Sequence, residues 1–296
     1  MKLGICCVYF YAPDSAWLLE LQLRYIAATL QGYDYTIYAG ANRLEEQLKQ
    51  TLAGAPNVEV VRLPYFYGIA NAEHAFYLDG LLRRAAEDGC THLATLDSDS
   101  FPVMGDWPRM LLERMAGSRV AAVLRSENRD THLPHPCGLF MLRSFLIERN
   151  PMMLPERGEI ADFLKETKQR YDTGVGYGYA LWKANEPWLK LERTNHVNPR
   201  SLLAGVYGDV LFHLGASSRR PQFSIDYQTW PTLRLVMLLR GRPLVWRVAD
   251  FFDDRYARSN EAVLKDIVAE LKSGPDSYIS YLRTGKRSFI ENCVSE

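Results

Sequence analysis

No part of this 296-residue sequence keeps an apolar run of the roughly 18 residues needed to cross a bilayer, so nothing in it reads as a transmembrane helix. The apolar run from Met1 to Tyr11 is too short for a signal peptide, and it ends in Tyr and Pro without a small-residue cleavage site. Net charge is missing too: Lys plus Arg and Asp plus Glu are each 35. That balance excludes the broad basic footprint of a nucleic-acid binder and leaves any phosphate recognition local. Cysteine is sparse and unpatterned. Cys6, Cys7, Cys90, Cys137 and Cys293 form no CxxC and no metal-ligand spacing, and read as small buried residues of a reducing compartment. There is no GxGxxG and no GxxxxGK[ST], which argues against the dinucleotide-binding and P-loop versions of an α/β architecture. Internal repeats and low-complexity linkers are absent as well. These absences predict a soluble cytoplasmic protein with no nucleic-acid partner.

What is present is an apolar fraction of 47%, enough for a sizeable core. Short apolar runs alternate with amphipathic ones through the first hundred residues. Strands are expected over 3–10, Tyr35–Tyr38 and Val58–Leu63, with helices after Ser15, around Leu44–Leu52 and from Ala70 to Glu87. Such alternation implies a mostly parallel central sheet covered by helices on both faces. Further strands are expected at Val120–Leu124, Cys137–Leu142, Trp188–Leu191 and, as a single run, Val206–Leu214. The polar stretch 126–136 reads as a loop. Beyond Pro231 the pattern is helical.

The organising stretch is Thr91–Pro102, a short β-branched and apolar run that stops on Asp97-Ser98-Asp99. In a sheet of this type ligands collect outside the carboxyl ends of the strands, so the two carboxylates face a crevice. They repel each other unless a cation neutralises them, and hard oxygen ligands suit Mg²⁺ or Mn²⁺. Taken alone, an Asp-x-Asp is equally a turn that caps the next segment. Two further pieces stand in order behind it. Asp172-Thr173-Gly174 offers a carboxylate able to take a proton from an attacking hydroxyl, or else a helix cap. His213, followed by Gly215 and Ser217-Ser218-Arg219, offers an imidazole acceptable to Mn²⁺ and a guanidinium fork for phosphate oxygens, although a lone strand histidine is also an ordinary core residue.

With these pieces the chain resembles GT-A fold (Rossmann-like), DxD-motif, metal-dependent nucleotide-sugar glycosyltransferases of the bacterial family-2 type, over roughly residues 1–220. The resemblance implies a catalytic domain over 1–220, with a nucleotide-sugar-binding half at 1–103 and an acceptor-binding half at 104–220; the helical pattern beyond it reads as a C-terminal extension, 221–296, packed on that domain. It implies Mn²⁺ or Mg²⁺ held mainly by Asp99 and His213, with Asp97 secondary, and Asp172 as the base of an inverting transfer. Donor contacts would come from Tyr11, Asn42, Asp97, Ser98, Ser217, Ser218 and Arg219, and Cys137-Gly138 would wall the sugar and acceptor pocket. The expected activity is hexosyl or deoxyhexosyl transfer from a nucleotide sugar to a glycan or lipid-linked acceptor in polysaccharide biosynthesis. Two alternatives stay open: a nucleotidyltransferase making a nucleotide sugar, and a nonenzymatic nucleotide-sugar-binding module. Residues 233–247 place four arginines and a tryptophan among aliphatics, which reads either as packing or as peripheral contact with the inner face of the membrane.

Overall fold

The computed structural model describes residues 1–11, 15–66, 70–199, 202–215 and 261–286. Its centre is a seven-stranded sheet in the order β3-β2-β1-β4-β7-β6-β8. The strands are β1 (Lys2–Val8), β2 (Asp34–Gly40), β3 (Val58–Val61), β4 (His92–Asp97), β6 (Val120–Val123), β7 (His135–Leu142) and β8 (Leu189–Leu191). All pairings are parallel except those of β7, which runs antiparallel to both β4 and β6.

Both sheet faces are covered, and the period-2 alternation of the strands sorts their side chains between two cores. Cys6, Leu93, Val120, Ala122, Leu139 and Met141 join α3 (Ala70–Glu87), α5 (Arg143–Arg149) and α7 (Val175–Lys183) on one face. Leu3, Ile5, Ala94, Leu96, Ala121, Val123 and Phe140 meet α1 (Trp17–Thr29) and α4 (Trp107–Met115) on the other. The short helices α2 (Glu46–Gly54) and α6 (Ala161–Thr167) complete the outer layer. Helix α1 starts behind Ala16, whose side chain makes no cap, and Asp14 lies outside the described residues.

One residue breaks the alternation. Cys137 has the parity of Leu139 and Met141 but belongs to the opposite core. The reason is an irregularity in β7: Ala122 pairs with Leu139, while the next residue, Val123, pairs with His135. Residues 136–138 bulge out of the ladder between them. Pro136 has no N–H to lose and Gly138 no side chain to misplace, and these are the residue types a strand uses where its pairing is interrupted.

A small sheet of order β5-β10-β9 stands at the carboxyl end of β4. It comprises β5 (Ser100–Pro102), β9 (Gly205–Tyr207) and β10 (Leu211–His213). The apolar run 206–214, expected as one strand, is thus a hairpin. Gly208 and Asp209 both have positive φ (56° and 61°), and Val210 N–H donates to Tyr207 O at 3.0 Å, a type I′ turn whose twist matches the flanking strands. Near the C-terminus, α8 (residues 261–273) and α9 (Pro275–Thr284) pack on α1 and this small sheet through Ile267, Leu271, Tyr278, Ile279 and Leu282. Among the described residues no helix is long and apolar enough to cross a membrane.

Candidate active site

The order β3-β2-β1-β4 puts a topological switch between β1 and β4: the chain works outward from β1 to β3, then returns to β1's other side. A crevice opens at the carboxyl ends of such a strand pair. Here β1 runs out into Tyr9-Phe10-Tyr11 and β4 into Asp97-Ser98-Asp99. The two ends are laced together, with Tyr11 OH donating to Ser98 O (3.1 Å) and Ser98 Oγ donating to Phe10 O (3.0 Å). The Ser98 hydroxyl is therefore spent on the scaffold.

The acidic turn is held from below. Gln22, fully buried on α1, donates from Nε2 to both Asp97 O (2.8 Å) and Ser100 O (2.6 Å). Ser100 Oγ accepts from Asp97 N–H (2.9 Å) and donates to Cys137 O (2.6 Å). With the backbone so tied, both Asp side chains rise into the crevice. Pairing of β5 with β10 sets His213 opposite Ser100, and Leu214 N–H donates to Asp99 O at 3.0 Å.

His213 Nε2 then stands 3.3 Å from Asp99 Oδ1 and 3.7 Å from Asp97 Oδ2, and His74 Nε2 stands 3.7 Å from Asp97 Oδ1. Asp97 Oδ1 is buried and has no hydrogen-bond partner. Ligand atoms of Asp97, Asp99 and His213 all lie within 4.8 Å of one another. An orphaned carboxylate oxygen, and donor atoms mostly held beyond hydrogen-bond distance, are what a divalent cation with bonds of about 2.0–2.6 Å to hard ligands would draw together. The residues fit such an ion.

The titration pattern follows from the crowding. Burial pushes the Asp97 carboxyl up; His74 and His213 pull it down, and Asp99 pushes it up again. Burial alone would lower His213, but Cys137 and Asp99 beside it outweigh that and hold it well above its ordinary value. His135 is driven well below its ordinary value by burial and by Arg125, and stays neutral.

The other residues singled out from the sequence are placed unevenly. Asp172 precedes α7 without capping it, since the N-cap is Gly174 and no side chain bonds there. Its Oδ1 accepts from Asn71 Nδ2 (3.1 Å) and from Thr173 N–H (2.9 Å), and Arg170 Nη1 lies 3.4 Å from Oδ2. Asn71 and His74 are one turn apart on α3, so Asp172 is tied to the helix end that carries the histidine facing Asp97. Asn42 donates to Leu63 O (3.2 Å) and to Tyr77 OH (3.4 Å), contacts that fasten the end of β2 to its surroundings.

The pair Cys137-Gly138, expected to wall one pocket together, divides. Gly138 backs onto the core, where a Cβ would sit 2.2 Å from Leu211 Cδ2 and 2.9 Å from Val123 Cγ2. Cys137 is fully buried and joins the ligand cluster with Asp97 and His135. Ser217, Ser218, Arg219 and the segment 233–247 lie outside the described residues.

Gln22, His74, Ser100 and His135 belong to this neighbourhood although their spacing carries no motif. The only sequence trace is Gly138 inside the strand pattern Cys137–Leu142, with Pro136 just before it.

No protein-family model and no curated protein matches the chain. Solved structures do. S. aureus TarS in complex with UDP-GlcNAc is similar at 12% identity and a TM-score of 0.41, over 68% of this chain and 63% of that one. The galactosyltransferase LgtC, in complex with donor and acceptor sugar analogs, is similar at 11% identity and 0.40, over 68% and 74%. A197 from STIV reaches 14% and 0.35, over 72% and 94%. The chain spans 50% and 63% of the length of two TarS structures. Identities this low carry no residue of those proteins over to this chain.

Proposed function

We propose that the protein is a divalent-metal-dependent glycosyltransferase of the GT-A type, transferring a hexosyl or deoxyhexosyl group from a nucleotide sugar to a glycan or lipid-linked acceptor. The observation that carries the reading is the convergence of Asp97, Asp99 and His213 at the switch point between β1 and β4, with Asp97 Oδ1 buried and unpartnered. A Mn²⁺ or Mg²⁺ ion held there, chiefly by Asp99 and His213, supplies positive charge against the diphosphate that leaves the donor sugar.

The chain's own groups do the rest. The crevice bounded by Tyr11 and the acidic turn takes the nucleoside. Asp172, steadied by Asn71 and Arg170, accepts the proton of the acceptor hydroxyl, which makes the transfer an inverting one. His74 faces Asp97 from α3 and restrains its carboxylate. Residues 1–103 then form the donor half and 104–220 the acceptor half, with 221–296 as an appended segment; Ser217, Ser218 and Arg219 cover the diphosphate. The cytoplasmic location belongs to the same reading, and for 233–247 packing on the domain is favoured over contact with anionic lipid.

The test is Asp99→Asn with Asp172→Asn beside it. Asp99→Asn is expected to weaken Mn²⁺ binding by calorimetry and to abolish metal-dependent release of nucleoside diphosphate from a panel of nucleotide sugars. Asp172→Asn is expected to keep the metal and lose turnover by about 10²–10⁴-fold, the usual contribution of a general base. Release of pyrophosphate instead would make the protein a nucleotidyltransferase. Metal-dependent nucleotide-sugar binding without turnover on any acceptor would make it a binding module.

A further inference from the structure

The proposed cation site uses one wall of the crevice. Beside it, the bulge of β7 carries two ligand-type side chains, His135 and Cys137 next to His213, to which the proposed reaction gives no role of their own. His135 and Cys137 flank Pro136, and the interruption at 136–138 is what turns the Cys137 thiol out of its strand's regular alternation and towards Asp97. A ligand atom from each of Asp97, His135 and Cys137 lies within 4.8 Å of the other two, the same bound that holds for Asp97, Asp99 and His213.

The two triads share Asp97 and differ in chemistry. One offers two carboxylates and an imidazole, a set that includes the hard oxygens preferred by Mg²⁺ and Mn²⁺. The other offers one carboxylate, one imidazole and one thiol, the mixture that suits Zn²⁺ and Co²⁺. Three protein ligands with an open fourth position are an ordinary zinc arrangement, and with bonds of about 2.0–2.3 Å the ligand atoms stand roughly 3–4 Å apart. That spacing falls within the 4.8 Å that bounds the triad. The His135 lone pair is on Nδ1, where it accepts Cys137 N–H at 3.2 Å, a long bond that a metal on Nδ1 would replace.

We propose that Asp97, His135 and Cys137 form a second, softer cation site that takes Zn²⁺, and that this site and the activating site compete for Asp97. On binding, the Cys137 S–H bond breaks, its proton leaves to solvent, and the thiolate sulfur bonds to the metal. Zinc is then an inhibitor of the protein rather than its activator. The competition rests on the hard site proposed above; the soft site does not.

The experiment is titration of the metal-free full chain with Co²⁺, read by the near-ultraviolet thiolate-to-cobalt charge-transfer band. The band is expected in the wild type, in Asp99→Asn and in Cys90→Ser, and is expected to vanish in Cys137→Ser and bleach when Zn²⁺ displaces the cobalt. By calorimetry Cys137→Ser should weaken Zn²⁺ by more than about 10-fold, the loss already typical of removing only a ligand's supporting partner. His135→Ala repeats the test if Cys137→Ser is misfolded by circular dichroism. Absence of the band in the wild type, or its survival in folded Cys137→Ser, overturns the soft site. Zn²⁺ and Mn²⁺ binding together without weakening each other overturns the sharing of Asp97. Unchanged Mn²⁺ affinity in Asp99→Asn, with the cobalt band still dependent on Cys137, overturns the proposed function and leaves the soft site standing.

Discussion

At the scale of single residues, the site depends as much on what holds the backbone as on what points into the crevice. Gln22 is a polar side chain with no exposure, and its amide serves two carbonyls that bracket the acidic turn. Gln22→Leu keeps the apolar bulk and leaves Asp97 O and Ser100 O without that donor. Asp97 O keeps a donor in Ser100 Oγ at 3.2 Å, so the acceptor left stranded is Ser100 O, worth about 1–3 kcal/mol. Denaturant unfolding is expected to show a loss of about 1–3 kcal/mol, accompanied by a drop in Mn²⁺ affinity as Asp97 and Asp99 lose their fixed spacing. A variant with wild-type metal affinity would mean that the Ser100 hydroxyl alone sets the turn. Asp97, Asp99 and His213 were legible in the sequence, because two carboxylates at a strand end and a histidine before a glycine are local patterns. Gln22 and His74 were not: each is an ordinary residue of a helix until the sheet order brings it beneath or above Asp97.

At the scale of elements, α7 and β7 decide how the second half of the chain approaches the first. Helix α7 opens with Gly174, Gly176 and Gly178, and a Cβ at Gly178 would stand 1.9 Å from His132 O while one at Gly176 would stand 2.0 Å from Met152 O. Gly174 and Gly178 let the helix lie against the backbone of the loop that leads into His135, and Gly176 lets it lie against the segment after α5. Alanine there gains up to about 1 kcal/mol in helix propensity. The obstacle is main chain and cannot rotate away, so Gly178→Ala is expected to destabilise by about 1–3 kcal/mol, read as a lowered urea midpoint with an unchanged slope. A neutral or raised midpoint would show that the loop yields. The strand–helix alternation and the span of α3 were readable from periodicity. The antiparallel entry of β7 and its bulge were not, because Cys137–Leu142 looks the same run in either direction, and the facing of Cys137 depends on where the ladder slips.

At the scale of the molecule, Asp79 joins α3 to the segment before α7. Both its oxygens accept from Met153 N–H at 3.0 Å, and Gly174 N–H donates to Met153 O at 2.8 Å. Burial pushes this carboxyl up to about 7, against the pull of the Met153 N–H and Arg83. Its unfolded value is about 3.9. Below that pH both states hold the proton and there is no penalty. As pH rises towards 7 the unfolded chain releases it first, so stability falls and then levels off, by about 4 kcal/mol in all. Asp79→Asn keeps an acceptor for Met153 and removes the titration. Its melting temperature is expected to exceed the wild type's near pH 8 and to match it near pH 4; an identical pH dependence in both proteins would place the source elsewhere.

The hairpin that delivers His213 has a consequence for biosynthesis. Asp99 and His213 are 213 − 99 = 114 positions apart, and chains are made at about 5–20 residues per second, so roughly 6–23 s separate the two during translation. The acidic turn therefore leaves the ribosome without its histidine, and β1 to β4 are made well before the pocket can hold a cation between them.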